Sequence, residues 1–352
     1  MYAGHIYAGT VEIVNLTIPA SGISLASFST PHAFTHNTWL SADSKTCFTT
    51  DEVDGAYLAA FDISNLGNIS LIDTIQSNPG SGSVVHNTHI VNVSSADYAV
   101  TSWYKDGITV VDASRPDNIV QVGNYDTSPL SGGGFDGCWG VYPYLPSRTI
   151  VVSDIGTGLF VLAPNYVRAC YIEGTIIDCS TLNPISGVLV QIVNPPAYSV
   201  NSSSDFTDAL GKYGIGTVTA GTYTVSVSKT NYFMQTFTVT TTSGNVTPLN
   251  VQLCVTGINE FTNLADVSVY PNPFSASAVI QVSSLKSEVL SMIVYDMYGK
   301  QVRTLNSRLK TNDFVLERGG LASGIYFYQI ISPSPVGEGR GEVIATGKLC
   351  VE

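Results

Sequence analysis

All five histidines of the chain lie within its first 89 residues, and they are spaced in a pattern. His36-Asn37-Thr38-Trp39 returns as His86-Asn87-Thr88-His89 at an offset of 50. Carboxylates keep the same step. Asp51 and Asp154 each stand four residues before a repeat glycine, Gly55 and Gly158. His5 and Trp103 hold that place before Gly9 and Gly107, and Asp136 opens a third unit as His36 and His86 open theirs. If the units are related by rotation, each set falls at one radius and one height. Imidazole and carboxylate are the usual donors to a divalent cation. The candidate metal set is therefore His36, His86, His89, Asp51, Asp136 and Asp154, and a metal-acidified water is the chemistry it would support. The competing reading is structural, because buried His and Asp side chains commonly pin turns through hydrogen bonds. The chain has no GxSxG elbow and no P-loop, and Gly132-Gly133-Gly134 is not followed by a helical pattern, so no catalytic residue is assigned. No resident cofactor is expected beyond such a divalent cation.

These residues must be positioned by strands. Short runs rich in Val, Ile, Thr and Tyr alternate with Gly, Asn, Asp and Pro clusters along all 352 residues, and no sustained 3.6-residue period appears. The class is all-β. The repeat has a period near 50 with several short strands per unit, which reads as propeller blades. About three and a half units are present, so the expected fold is a partial β-propeller over residues 1–166. A partial ring must cover an open edge with another domain or molecule. Residues 167–256 alternate as a small β-sandwich, and residues 257–352 form a second.

Charge is unevenly distributed over these segments. Residues 1–166 carry 4 basic and 14 acidic side chains, whereas the later segments are nearly neutral. The net charge of −12 argues against a nucleic-acid partner, which needs a basic face. No apolar run reaches the length of a transmembrane helix. Met1-Tyr2-Ala3-Gly4-His5 lacks the basic and apolar segments of a signal peptide. Six cysteines without a CxxC give no zinc-ribbon or thioredoxin signal. Cys170 and Cys254 lie near the two ends of the middle segment. A bridge between them would close a long loop, worth on the order of 4 kcal/mol; buried free thiols are the equal alternative.

Three resemblances add to this reading. Thr49-Thr50-Asp51-Glu52, His86-Asn87-Thr88-His89, Gly123-Asn124-Tyr125-Asp126-Thr127 and Gly137-Cys138-Trp139-Gly140-Val141-Tyr142-Pro143 resemble the choice-of-anchor B family. That resemblance implies LVIVD-type blades in a surface or secreted propeller. Gly174-Thr175-Ile176-Ile177-Asp178, Pro184-Ile185-Ser186-Gly187-Val188, Asp208-Ala209-Leu210-Gly211-Lys212-Tyr213 and Ala220-Gly221-Thr222-Tyr223 are similar to a carboxypeptidase regulatory-like domain, which implies a sandwich acting as spacer or stalk.

Near the end of the chain, Val269-Tyr270-Pro271-Asn272-Pro273-Phe274, Val294-Tyr295-Asp296-Met297-Tyr298-Gly299-Lys300, Leu321-Ala322-Ser323-Gly324-Ile325-Tyr326 and Gly347-Lys348-Leu349 resemble the type A sorting domain of the type IX secretion system. By that resemblance the sorting signal comprises Pro271, Asn272, Pro273, Tyr295, Asp296, Gly299, Lys300, Gly324, Tyr326, Gly347 and Lys348. It implies a Bacteroidetes protein that is secreted or held on the outer-membrane surface, with the translocon as partner. A Pro- and Gly-rich stretch at 332–341 lengthens the last hairpin.

The expected function is non-enzymatic binding of an extracellular protein or glycan. A metal-dependent hydrolase or lyase and a surface-layer scaffold are the alternatives. The export route requires a signal peptide and the blade count is short at the same end, so a longer chain with further repeats and a leader is expected upstream.

Overall fold

A computed structural model describes residues 1–196, 201–256, 265–283, 290–307, 313–332 and 343–352. The expected lengthening of the last hairpin falls on residues outside these. Residues 1–257 make one compact unit and residues 258–352 a second. The expected boundary near residue 166 is thus a change of architecture inside one unit.

The first unit begins with four antiparallel meanders in chain order. Sheet one holds β1 (Tyr2–His5), β2 (Thr10–Asn15) and β3 (Ile23–Ser29). Sheet two holds β4 (Thr35–Leu40), β5 (Thr46–Asp51), β6 (Leu58–Asp62) and β7 (Ser70–Ile75). Sheet three holds β8 (Thr88–Val93), β9 (Ala96–Trp103), β10 (Gly107–Asp112) and β11 (Val120–Tyr125). Sheet four holds β12 (Cys138–Tyr142), β13 (Ile150–Asp154) and β14 (Gly158–Leu162).

The sequence repeat is a repeat of register. Thr38 pairs with Thr49 on β5, and Thr88, fifty residues after Thr38, pairs with Thr101 on β9. The four repeat glycines explain themselves: Gly9, Gly55, Gly107 and Gly158 have φ of 64°, 71°, 75° and 93°. Each closes the turn before its sheet's next strand in the left-handed region, where a Cβ is costly.

Neighbouring sheets bury their faces on one another. Phe48, Leu58, Ala60, Ala99, Trp103 and Val111 fill the layer between sheets two and three, while Val100, Val110, Val141, Ile150 and Val152 fill the next. The first strands β1, β4, β8 and β12 touch in series. Leu159 and Val161 remain exposed on the outward face of sheet four.

The unit continues into a two-sheet sandwich. One sheet contains β15 (Cys170–Asp178), with β18 (Lys212–Thr217), β21 (Val246–Pro248) and β22 (Val251–Leu253) paired to it. The other orders β17 (Ser204–Phe206), β16 (Leu189–Val193), β19 (Gly221–Ser228) and β20 (Gln235–Thr241). Alternation places Val190, Ile192, Val225 and Val227 inward against Ile172, Ile176 and Ile215.

The sandwich is not a free stalk. Arg115 donates from Nε and Nη2 to both carboxylate oxygens of Glu173, at 2.5 and 2.6 Å. The Asp112 carboxylate accepts from Arg168 Nε and the Ala169 amide, at 3.0 and 2.9 Å.

One bridge joins Cys179 to Cys254. This corrects the expected partner Cys170, which is a buried free thiol. The reason is register. Cys170 begins β15, Cys179 follows its end, and β22 runs parallel to β15 with Asp178 beside Leu253. Cys254 is thereby delivered to Cys179, nine residues along the strand from Cys170.

Asp73 on β7 accepts from the amides of Ile119 and Thr74, each at 2.7 Å. Burial, reinforced by the negative charges of Asp205 and Asp117, pushes its carboxyl up to about 7 against those two hydrogen bonds. With the folded value above the ordinary 3.8, its stabilising share is complete below about pH 4 and is lost as pH rises through about 7. Between those limits the unfolding free energy of the wild type is expected to fall by on the order of 4 kcal/mol more than that of Asp73→Asn. Urea titrations at both pH values check the difference.

The second unit packs β23 (Asp266–Tyr270), β24 (Ser277–Ser283) and β27 (Phe314–Glu317) against a four-stranded sheet. That sheet orders β26 (Gln301–Asn306), β25 (Ser291–Tyr295), β28 (Gly324–Ile331) and β29 (Val343–Val351). Ile280, Met292, Val294, Phe314, Tyr328, Ile330 and Leu349 form its core. No helix among the described residues is long and apolar enough to cross a membrane.

Candidate functional site

The first strands of sheets two and four carry bulges at matching places. On β4 the bulge falls between Thr35 and Asn37, leaving His36 unpaired, and on β12 it falls between Cys138 and Gly140, leaving Trp139 unpaired. In sheet three the equivalent residue is His86, whose amide bonds to Ser102 O just before β8. A bulge turns its extra residue away from the sheet. The three rings consequently stack in series: His36 on His86 with centroids 4.3 Å apart, and His86 on Trp139 at 5.7 Å.

Of the expected set, the structure brings His36 and His86 together, with Trp139 in the third place. Asp136 lies three residues upstream of Trp139 and is exposed.

The other members of the expected metal set lie elsewhere. Asp51 accepts from Thr30 Oγ1 (2.5 Å), the His32 amide (2.8 Å) and the Phe34 amide (3.1 Å). Asp154 accepts from Thr127 Oγ1 (2.7 Å) and the amides of Gly156 and Thr157 (2.9 Å each). Both pin a turn with their carboxylate oxygens. His89 packs between Trp39 (4.6 Å) and Tyr144 (5.7 Å), and burial lowers its basicity.

Glu52, which the spacing argument missed, completes the stack. Its Oε1 lies 3.5 Å from His86 Nε2 and its Oε2 lies 3.8 Å from His36 Nε2. Tyr104 Oη donates to Glu52 Oε1 at 2.6 Å. Glu52 and Tyr104 directly follow Asp51 and Trp103, so they are equivalent positions holding different residues. A search for repeated identities passes over both.

His86 Nδ1 lies against the Trp139 carbonyl, which can only accept, and 2.8 Å from the Asn87 side-chain nitrogen; with the proton on Nδ1, Nε2 presents its lone pair towards Glu52. Burial, then the neighbouring His36, lowers the His86 basicity, and the Trp139 carbonyl and Glu52 oppose them. The Ser102 hydroxyl points at the carbonyls of Asn87 and Trp139, so it has no imidazole base. Burial pushes the thiols of Cys47 and Cys138 up to about 12, far from reactive thiolates. Trp139 itself is 54% exposed.

In the second unit part of the expected sorting signal comes together. Asn272 mimics a strand partner, donating to Lys348 O at 3.0 Å and accepting from the Cys350 amide at 2.7 Å. The peptide bonds preceding Pro271 and Pro273 are cis. Asp296 Oδ1 accepts from the Tyr298 and Lys300 amides, closing the turn in which Gly299 takes a φ of 79°. Tyr295, Asp296, Gly299, Gly347 and Lys348 line one open cleft of about 770 Å³. Tyr326 Oη donates to Ala322 O at 3.0 Å, and Gly324 starts β28.

Comparison with known proteins accords with the two later segments. Residues 171–254 match the carboxypeptidase regulatory-like domain, and residues 268–336 match the secretion system C-terminal sorting domain. The second match supports secretion by the type IX route, contact with its machinery, and a secreted or cell-surface location in Bacteroidetes.

No curated protein matches the chain. Similar solved structures include a proposed carbohydrate-binding protein from Bacteroides uniformis, at 15% identity and TM-score 0.20, covering 51% of this chain and 98% of that one. A streptococcal ancillary pilin has 11% identity and TM-score 0.24, covering 73% and 79%. A proposed 6-phosphogluconolactonase from Bacteroides fragilis has 13% identity and TM-score 0.33, covering 96% and 93%. At these TM-scores they carry no argument for this chain.

Proposed function

We propose that this is an exported, non-enzymatic binding protein. Its four meanders act as blades of a choice-of-anchor B type β-propeller, and the ring stack at their first strands holds an extracellular carbohydrate. The observation that carries the reading is Trp139. One indole face rests on His86 while the residue stays half exposed, which leaves an apolar surface for the C–H face of a sugar ring. Asn37 and Asn87 lie beside the stack with amide groups of the kind that recognise hydroxyls. The second unit supplies the export address.

Calorimetric titration of the full chain against a panel of bacterial and host glycans tests this. Binding that weakens on the order of tenfold or more in Trp139→Ala supports the reading. Overturning results are no binding anywhere in the panel, or turnover of a defined substrate that His86→Ala abolishes.

A further inference from the structure

The contacts among His36, Glu52 and His86 do not satisfy any of the three. At 3.5 and 3.8 Å the imidazole–carboxylate distances exceed hydrogen-bond lengths. Two donors bound tetrahedrally to one ion, each about 2.0–2.1 Å away, lie about 3.3 Å apart. One donor atom from each residue lies within 4.8 Å of the others.

The surroundings are also those of ligands. With His86 Nδ1–H donating to the Trp139 carbonyl, the Nε2 lone pair faces inward, and Tyr104 fixes the carboxylate. The His36 Nδ1 atom, across the ring from Nε2, is buried with no hydrogen-bond partner, so of the two imidazoles only His86 has an acceptor behind its ring. The side chains are enclosed, with relative exposures of 22% for His36, 18% for Glu52 and 4% for His86.

We propose that His36 Nε2, Glu52 and His86 Nε2 bind one divalent transition-metal ion of the zinc class, with a coordination position left open for a ligand oxygen. Two imidazoles and one carboxylate suit zinc better than calcium or magnesium, which take oxygen donors. Three protein donors leave a tetrahedral ion one position short of closure. This site shares His36 and His86 with the ring stack, but its test reads zinc uptake and not carbohydrate binding.

The test uses the full chain, stripped with EDTA and then titrated with zinc chloride by calorimetry and by equilibrium dialysis with elemental analysis. The wild type should take up about one equivalent. Glu52→Gln and His86→Ala should lose that equivalent, and Tyr104→Phe should weaken it by about 10- to 100-fold. Asp136→Asn, at an exposed carboxylate outside the cluster, should bind as the wild type does. Near-ultraviolet circular dichroism reports folding. Should His86→Ala fail to fold, Glu52→Gln still decides, because it keeps the shape of the side chain. Uptake below about half an equivalent by the wild type overturns the site. So does an unchanged affinity in folded Glu52→Gln.

Discussion

Replacing Cys254 with serine is expected to lower the unfolding free energy of the first unit by about 4 kcal/mol. The bridge to Cys179 spans 75 residues, nearly the whole sandwich, so its removal returns a large loop to the unfolded ensemble. β22 is a three-residue strand joined to β15 by a short parallel ladder, with the Cys179 amide donating to Leu253 O at 2.9 Å. Besides the covalent tie, β22 is held by Val251 and Leu253 in the sandwich core and by the Phe233 amide on the Cys254 carbonyl. Urea unfolding should show the loss in Cys254→Ser, and the wild type under dithiothreitol should reproduce it. Cys170→Ser should keep the dependence on reductant. A wild-type midpoint indifferent to reductant would sink the assignment. A bridge of this kind persists in an oxidising compartment, which agrees with export.

The second large effect belongs to Asp112. Its side chain is fully buried at the end of β10 and serves three donors: the Ser114 amide (3.1 Å), Arg168 Nε and the Ala169 amide. Asp112→Ala removes every acceptor at once. The Ala169 amide belongs to a fully buried residue, so it would be left without a partner. Arg168 is 37% exposed and can recover part of its loss from water. A cost of about 3 kcal/mol follows. Because Asp112 joins sheet three to the start of the sandwich, the loss should appear locally as well. Amide exchange should accelerate at residues 168–171 more than in the core of sheet two. A stability change below about 1 kcal/mol would contradict the assignment.

Particular residues show how far the sequence could be read. The motif at Asp296 to Gly299 was legible in the sequence, and the Asx turn and left-handed glycine it forms are local devices needing no tertiary partner. The repetition of the strand units was legible from the fifty-residue offset. Glu52 was not, because spacing arguments select residues that recur, and its equivalent is Tyr104. Their hydrogen bond is made by the packing of adjacent sheets. Asp51 and Asp154 stood at equivalent places with two purposes open, metal donor or turn anchor. Only the loops around them, which supply amides at 2.8 to 3.1 Å, reveal them as turn anchors. Asp136 failed because an alignment by similar letters placed the third unit three residues early, and the bulge at Trp139 settles the frame.

By itself the sequence determined the all-β class, the repeat, the alternation of the sandwich and the export address. Each of these is written in short-range periodicity or in a local motif, so each survives without knowledge of the fold. Tertiary structure alone decided which cysteine meets Cys254, that the sandwich is fastened to the meanders by Asp112 and Arg115, and that Glu52 joins His36 and His86. Those are contacts between elements far apart in the chain, set by strand register and sheet packing, and spacing along one strand does not encode them.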